Sequence, residues 1–114
     1  MIVGATSSKT VEAITTTNAP NQPVVEILES EFGIGTFKIN SRENASNNSQ
    51  SATIVAYKSN TGLGVQYVVS NTIFIGASYI NYNVLLDGYG NVQFAVSPTL
   101  NTTFTHTINY EVTV

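Results

Sequence analysis

The chain contains no cysteine and no tryptophan, and only one histidine, three prolines and four basic residues in 114 positions. Each scarcity excludes something. Without cysteine, neither a disulfide framework nor a thiolate metal centre can form, and folding in a reducing compartment is compatible with the chain. With His106 alone, no pair of imidazoles can ligate a metal, and every hydroxyl nucleophile would have to share one base. The cations Lys9, Lys38, Arg42 and Lys58 form no cluster and are outnumbered by seven acids, for a net charge of −3. A phosphate-tracking surface needs several cations on one face, so a nucleic-acid partner is not expected. A membrane role is not expected either. There is no basic amphipathic stretch, and no apolar run approaches the ~18 residues of a spanning helix.

The region after Met1 lacks the basic segment and apolar core of a signal peptide, so synthesis in the cytoplasm without export is the expectation. Asn44, Asn47 and Asn101 each open a glycosylation-type triplet, but in so Asn/Ser/Thr-rich a chain these read as chance matches.

Charged residues make up 10% of the chain and hydrophobic residues 42%. That combination is the opposite of the disordered signature, and the length suits one domain with one core. The dominant pattern is alternation. Phe104, His106, Ile108, Tyr110, Val112 and Val114 fall on one face of an extended strand, with Thr105, Thr107, Asn109, Glu111 and Thr113 on the other. Further strands are predicted over Val24–Leu28, Phe32–Asn40, Ala52–Lys58, Leu63–Ser70, Thr72–Ala77, Tyr79–Leu86 and Asn91–Ser97. Asn44–Ser51, Asn60–Gly62 and Asp87–Asn91 read as turns or loops on their Gly, Asn and Asp content. Leu63–Ala77 is apolar on both faces, as expected of a central strand pair or of a contact surface.

Residues 1–23 are poor in large apolar side chains and close on Asn-Ala-Pro-Asn-Gln-Pro. They read as an extended N-terminal arm with one edge strand near Lys9–Thr17, because Thr15, Thr16 and Thr17 disfavour a helix and Pro20 and Pro23 cannot donate to a central ladder. The fold expected is therefore all-β: an antiparallel β-sandwich, jelly-roll-like, of about eight strands over residues 24–114, preceded by the arm.

Catalytic chemistry finds little footing. His106 lies on the apolar face of its strand, where a packed, hydrogen-bonded imidazole is the expected role. Glu26, Glu29 and Glu31 are too few for a calcium loop and read as a solvated strand edge. Asp87 belongs to its turn and has no facing carboxylate. No enzyme activity, cofactor or metal is expected. Tyr79, Tyr82 and Tyr89 cluster in sequence around the Asp87 turn and are the candidate contact residues, for a protein partner or for a glycan. Aromatic rings cover apolar sugar faces, and neighbouring amides take the hydroxyls.

Val24–Arg42, Ala52–Tyr57, the run Gly90-Asn-Val-Gln-Phe-Ala-Val-Ser-Pro98 and Ile108-Asn-Tyr-Glu111 carry a family likeness. Together they resemble the small β-sandwich virion structural proteins of tailed bacteriophages, notably phages of marine bacteria and cyanobacteria. The resemblance covers about three-quarters of the chain, from near Thr16 onward. It implies a virion component, most of all a capsid decoration (cement) protein that binds and stabilises the major capsid protein shell. Residues 1–23 would be its clamping arm, and a homo-oligomer, a trimer before other symmetries, its state. The alternative it implies is a tail or fibre appendage, a lectin-like module binding host-surface glycans.

Overall fold

In a computed structural model of the chain, residues 6–58, 64–76 and 80–114 are described. Eight strands account for most of them: β1 (Thr6–Thr15), β2 (Gln22–Ile27), β3 (Ile34–Glu43), β4 (Ser49–Lys58), β5 (Val65–Ile75), β6 (Ile80–Leu86), β7 (Val92–Pro98) and β8 (Phe104–Thr113). All pair antiparallel, in a five-stranded sheet of order β1-β8-β3-β4-β5 and a three-stranded sheet of order β2-β7-β6. The all-β sandwich expected from the alternating pattern is the fold. The first two strands lie against the last two, β1 on β8 and β2 on β7, which is the nested feature of a jelly roll. β3, β4 and β5 instead run as a meander within the larger sheet.

The alternation of β8 has a direct structural cause. Phe104, His106, Ile108 and Val112 point between the sheets and are buried, while Asn109 and Glu111 face solvent. β8 lies between β1 and β3, and its inner face packs into the core. There Phe37 and Phe94 sit with ring centroids 4.9 Å apart and both fully buried. Tyr110 and Tyr82 flank that pair at 5.7 and 6.1 Å. Burying a side chain of this size contributes about 1.5–3 kcal/mol. Gly35 makes room for the cluster, because a Cβ there would stand 2.7 Å from the Phe32 ring and 3.0 Å from Val112.

Three expectations from the sequence need adjustment. The N-terminal segment is not wholly an arm. Thr6–Thr15 pairs with β8 along ten residues, and β2 opens at Gln22, so both belong to the sheets. The edge strand expected near Lys9–Thr17 is β1, three residues earlier at its start; most of its residues are exposed, which leaves little apolar alternation to see. Next, Leu63–Ser70 and Thr72–Ala77 are not two strands: Val65–Ile75 is one strand with a bulge opposite Ala52. Asn71, at φ +51°, sits in that bulge and shifts the phase of the alternation, which reads in sequence as a break. Lastly, Glu29–Glu31 forms a 3₁₀ turn closed by Glu31 N–H donating to the Leu28 carbonyl at 2.9 Å, not a strand face. Glu29 there faces Lys58 at 3.6 Å.

The two sheets are joined at one side by a side chain acting as backbone. The Gln50 amide donates to the Ile80 carbonyl at 2.8 Å and accepts from the Ile80 N–H at 3.3 Å. This reproduces a rung of antiparallel ladder between β4 and β6, which belong to different sheets.

Candidate functional site

The outer face of the five-stranded sheet is divided. On β1, β8 and β3 from Thr36 onward it carries Thr10, Glu12, Asn109, Glu111, Lys38 and Arg42, a largely polar surface with Ile14 at one end and a shallow open depression within it. On β4, β5 and the start of β3 it carries Ile34, Val55, Tyr57, Val68, Ile73 and Ile75, all exposed. Register makes this second set contiguous. Ile34 stands opposite Tyr57, and Val55 opposite Val68. Val68 and Ile73 are 66% and 67% exposed, the bulge having returned them to the same side of the sheet. A cluster of large apolar side chains of this kind is the usual mark of a contact surface.

Behind it, the inner side of β5 overhangs the smaller sheet. Tyr67, Val69 and Phe74 lie opposite the core residues Ala56, Ile54 and Gln50, yet all three remain substantially exposed. The Tyr67 hydroxyl reaches Asn83 of β6 at 2.8 Å. β5 is thus apolar on both faces and, among the described residues, has a sheet neighbour on one side only. The sequence left open whether Leu63–Ala77 is central or a contact surface. Within the described residues it is an edge.

Of the candidate tyrosines, Tyr82 and Tyr89 do not share a site. Tyr82 is buried, its ring against Phe94 and its hydroxyl 3.2 Å from Ser41 Oγ, and is therefore a core residue rather than a contact residue. Burial pushes its pKa up to about 12, the Ser41 hydrogen bond acting weakly in the opposite sense. Tyr89 projects from the β6–β7 turn, 86% exposed. Tyr79 lies outside the described residues. The polar groups beside Tyr89 are committed to the turn. Asp87 Oδ1 accepts from the backbone N–H groups of Tyr89 and Asn91 at 2.8 and 2.9 Å, and Oδ2 accepts from Asn91 Nδ2 at 3.1 Å. These bonds, the one from Tyr89 foremost, hold the Asp87 carboxyl below its ordinary pKa. Asn91 Oδ1 in turn accepts from the Glu29 N–H at 3.0 Å. A sugar hydroxyl would have to displace these internal bonds.

His106 is fully buried in a polar chain that crosses the core. Its Nδ1 lies 2.7 Å from Ser41 Oγ and its Nε2 2.9 Å from Thr15 Oγ1, and Ser41 leads on to Tyr82. Neutral imidazole offers one donor and one acceptor, and the hydroxyls on either side can supply the complement, so every member is satisfied. Burial pushes the His106 pKa down to about 4. The ring is neutral at pH 7 and sealed from solvent, and it pins β1, β3, β6 and β8 together. No group of three or more His, Asp and Glu residues able to hold a metal occurs among the described residues.

No protein-family model matches this sequence, and no curated protein matches it. The geometry therefore stands by itself. The apolar sheet face and the β5 edge are what the sequence only half disclosed. Val55 and Tyr57 alternate with Ile54 and Ala56, so that strand is apolar on both sides, and this was the available signal.

Proposed function

We propose that the chain is a non-catalytic packing protein of a virion, most specifically a capsid decoration protein that seats its apolar β4–β5 face on the major capsid protein. The observation that carries the reading is that face: Ile34, Val55, Tyr57, Val68, Ile73 and Ile75 exposed together on a rigid sheet, with the charged residues gathered on the other half. The phage setting comes from the sequence resemblance. Because Thr6–Thr15 is a sheet strand, the contact is assigned to the sheet face rather than to an N-terminal clamp.

The test is binding to assembled shells of the major capsid protein. The wild type is expected to decorate them and raise their melting temperature. The V55D/Y57D variant, altered at two exposed positions, is expected to fold and fail to bind. Undiminished decoration by that variant, or none by the wild type, overturns the reading. The second reading, a glycan-binding appendage, rests on the exposure of Tyr89. It expects glycan-array signal that disappears in Tyr89→Ala.

A further inference from the structure

Among the described residues β5 has a sheet neighbour on one side only, and it has an order of residues that a second copy of the same strand would match. Outward from the Ser70–Asn71 junction, the chain reads Ser70, Val69, Val68, Tyr67, Gln66 in one direction and Asn71, Thr72, Ile73, Phe74, Ile75 in the other. The two arms agree in kind at four successive steps: small polar, then the near-isosteres Val and Thr, then β-branched apolar, then aromatic. Only the fifth step, Gln66 against Ile75, departs from the match.

The bulge makes this near-palindrome structurally meaningful. Residues opposite one another in a regular antiparallel pair share a face, so a strand paired with itself about a two-fold axis joins residues whose numbers sum to an even value. The register that matches the two arms pairs Val68 with Ile73 and Tyr67 with Phe74, an odd sum. In a regular strand it would set opposite faces against each other. In β5 it does not, because the bulge changes the phase between Ser70 and Ile73. Val68 and Ile73 both lie on the outer face, opposite Val55 and Ser51 of β4, and Tyr67 and Phe74 both lie on the inner face, opposite Ala56 and Gln50. The sequence symmetry and the phase shift meet in one register.

We infer that β5 is a self-pairing edge: two copies join antiparallel about a two-fold axis near Ser70–Asn71, continuing the five-stranded sheet from one subunit into the next. In that pair Val68 of each copy stands beside Ile73 of the other on the outer face, and Tyr67 beside Phe74 on the inner face. Val65–Ile75 contains no charged residue and no proline, so nothing on the strand opposes the approach of an identical one. Such cross-strand pairs of β-branched and aromatic residues are the stabilising units of a sheet. The inference concerns the backbone edge and goes beyond the sheet face assigned above. It stands whether or not the chain belongs to a virion.

The test is sedimentation equilibrium of the isolated chain at roughly 10–100 μM, a range that registers weak to moderate pairing. The wild type is expected to form a closed dimer. V68K/I73K sets Lys against Lys twice across the axis and is expected to weaken association by roughly tenfold or more. V68K/I73E sets Lys against Glu at the same two places and is expected to recover most of it. Both positions are exposed, and a wild-type circular dichroism spectrum with a cooperative urea transition verifies that each variant folds. A monomeric or trimeric wild type overturns the inference. So does a V68K/I73E variant as dissociated as V68K/I73K, since the dimer would then use another register or another surface. Loss of shell binding with the dimer intact counts against the proposed function alone.

Discussion

The larger sheet ends in two edges, and they are built to opposite rules. β1 carries Lys9 and Glu12 among Thr and Ser, with Ile14 its only exposed large apolar residue. Lys9 stands opposite Tyr110, on the face turned toward the smaller sheet, and an inward-pointing charge at an edge obstructs pairing with another strand. β5 has no charge and exposes Tyr67, Val68, Val69, Ile73, Phe74 and Ile75. Among the described residues the same sheet thus guards one edge with charge and leaves the other uncharged. The difference teaches that the apolar character of β5 is not a tolerance of the fold at large. An edge of this sheet can be protected, and β1 shows how.

The largest effect is expected from making the two edges alike. K9V/E12V removes both charges from β1 and leaves the sheet with two adhesive edges. A molecule with one such edge stops at a pair, whereas one with two can add subunits without closure. Light scattering is expected to show growth with concentration to large species, and a variant that stays at the size of the wild type would mean that charge does not protect β1.

Next is the anchoring of β1 into the core, which β5 lacks. The imidazole bonded to Thr15 has its pKa lowered from 6.5 to about 4 by burial. As pH falls through 6.5 the unfolded chain takes up this proton while the folded chain does not. Stability present above pH 6.5 is therefore lost progressively down to about pH 4, by on the order of 3 kcal/mol from this group. Urea unfolding across that window is expected to show the slope, and His106→Gln is expected to flatten it while lowering stability at pH 7.

A smaller effect is expected at the hydroxyl itself. Thr15→Val keeps the shape and removes one hydrogen bond to the ring, costing about 1 kcal/mol in urea unfolding. Amide exchange is expected to quicken first in β1, leaving β5 unchanged. Smallest of all, V68T/I73T changes two side chains exposed on the β5 edge. At a dilution where the chain is monomeric, unfolding is expected to move by less than about 0.5 kcal/mol, since these positions contribute to association and not to the monomer core.

The same contrast explains what could be read in advance. β8 was legible because one of its faces is core and the other solvent, which writes alternation directly into the residues. β5 was misread for the converse reason, and β1 was read as an edge strand but not placed beside β8: neither has one face wholly in the core, so their sequences follow edge chemistry instead. The bulge at Asn71 is a backbone event, and in sequence one Asn between apolar runs looks like a turn. His106 was legible as a core residue from its neighbours Phe104 and Ile108. Its partners were not, since Thr15 and Ser41 lie 91 and 65 positions away and become neighbours only when β1 and β3 flank β8. The exposure of Val55 and Tyr57 was hidden because an apolar residue on the far side of a sheet has the same letters as one in the core.

The pairing of β1 with β8 also sets the tempo at which the molecule takes shape. Thr6 and Thr113 meet through their hydroxyls at 3.0 Å across 107 positions of chain. β8 must arrive before β1 has any sheet neighbour and before β3 has its second. Closing so long a loop costs conformational entropy that is recovered only after the ladder has formed, which places folding of such topologies in roughly the millisecond-to-second range. The β3–β4–β5 meander needs only local contacts and can form early, with its uncharged edge already bare. Refolding yield is therefore expected to fall as protein concentration rises, and the K9/E12 edge, completed late, has no part in that loss.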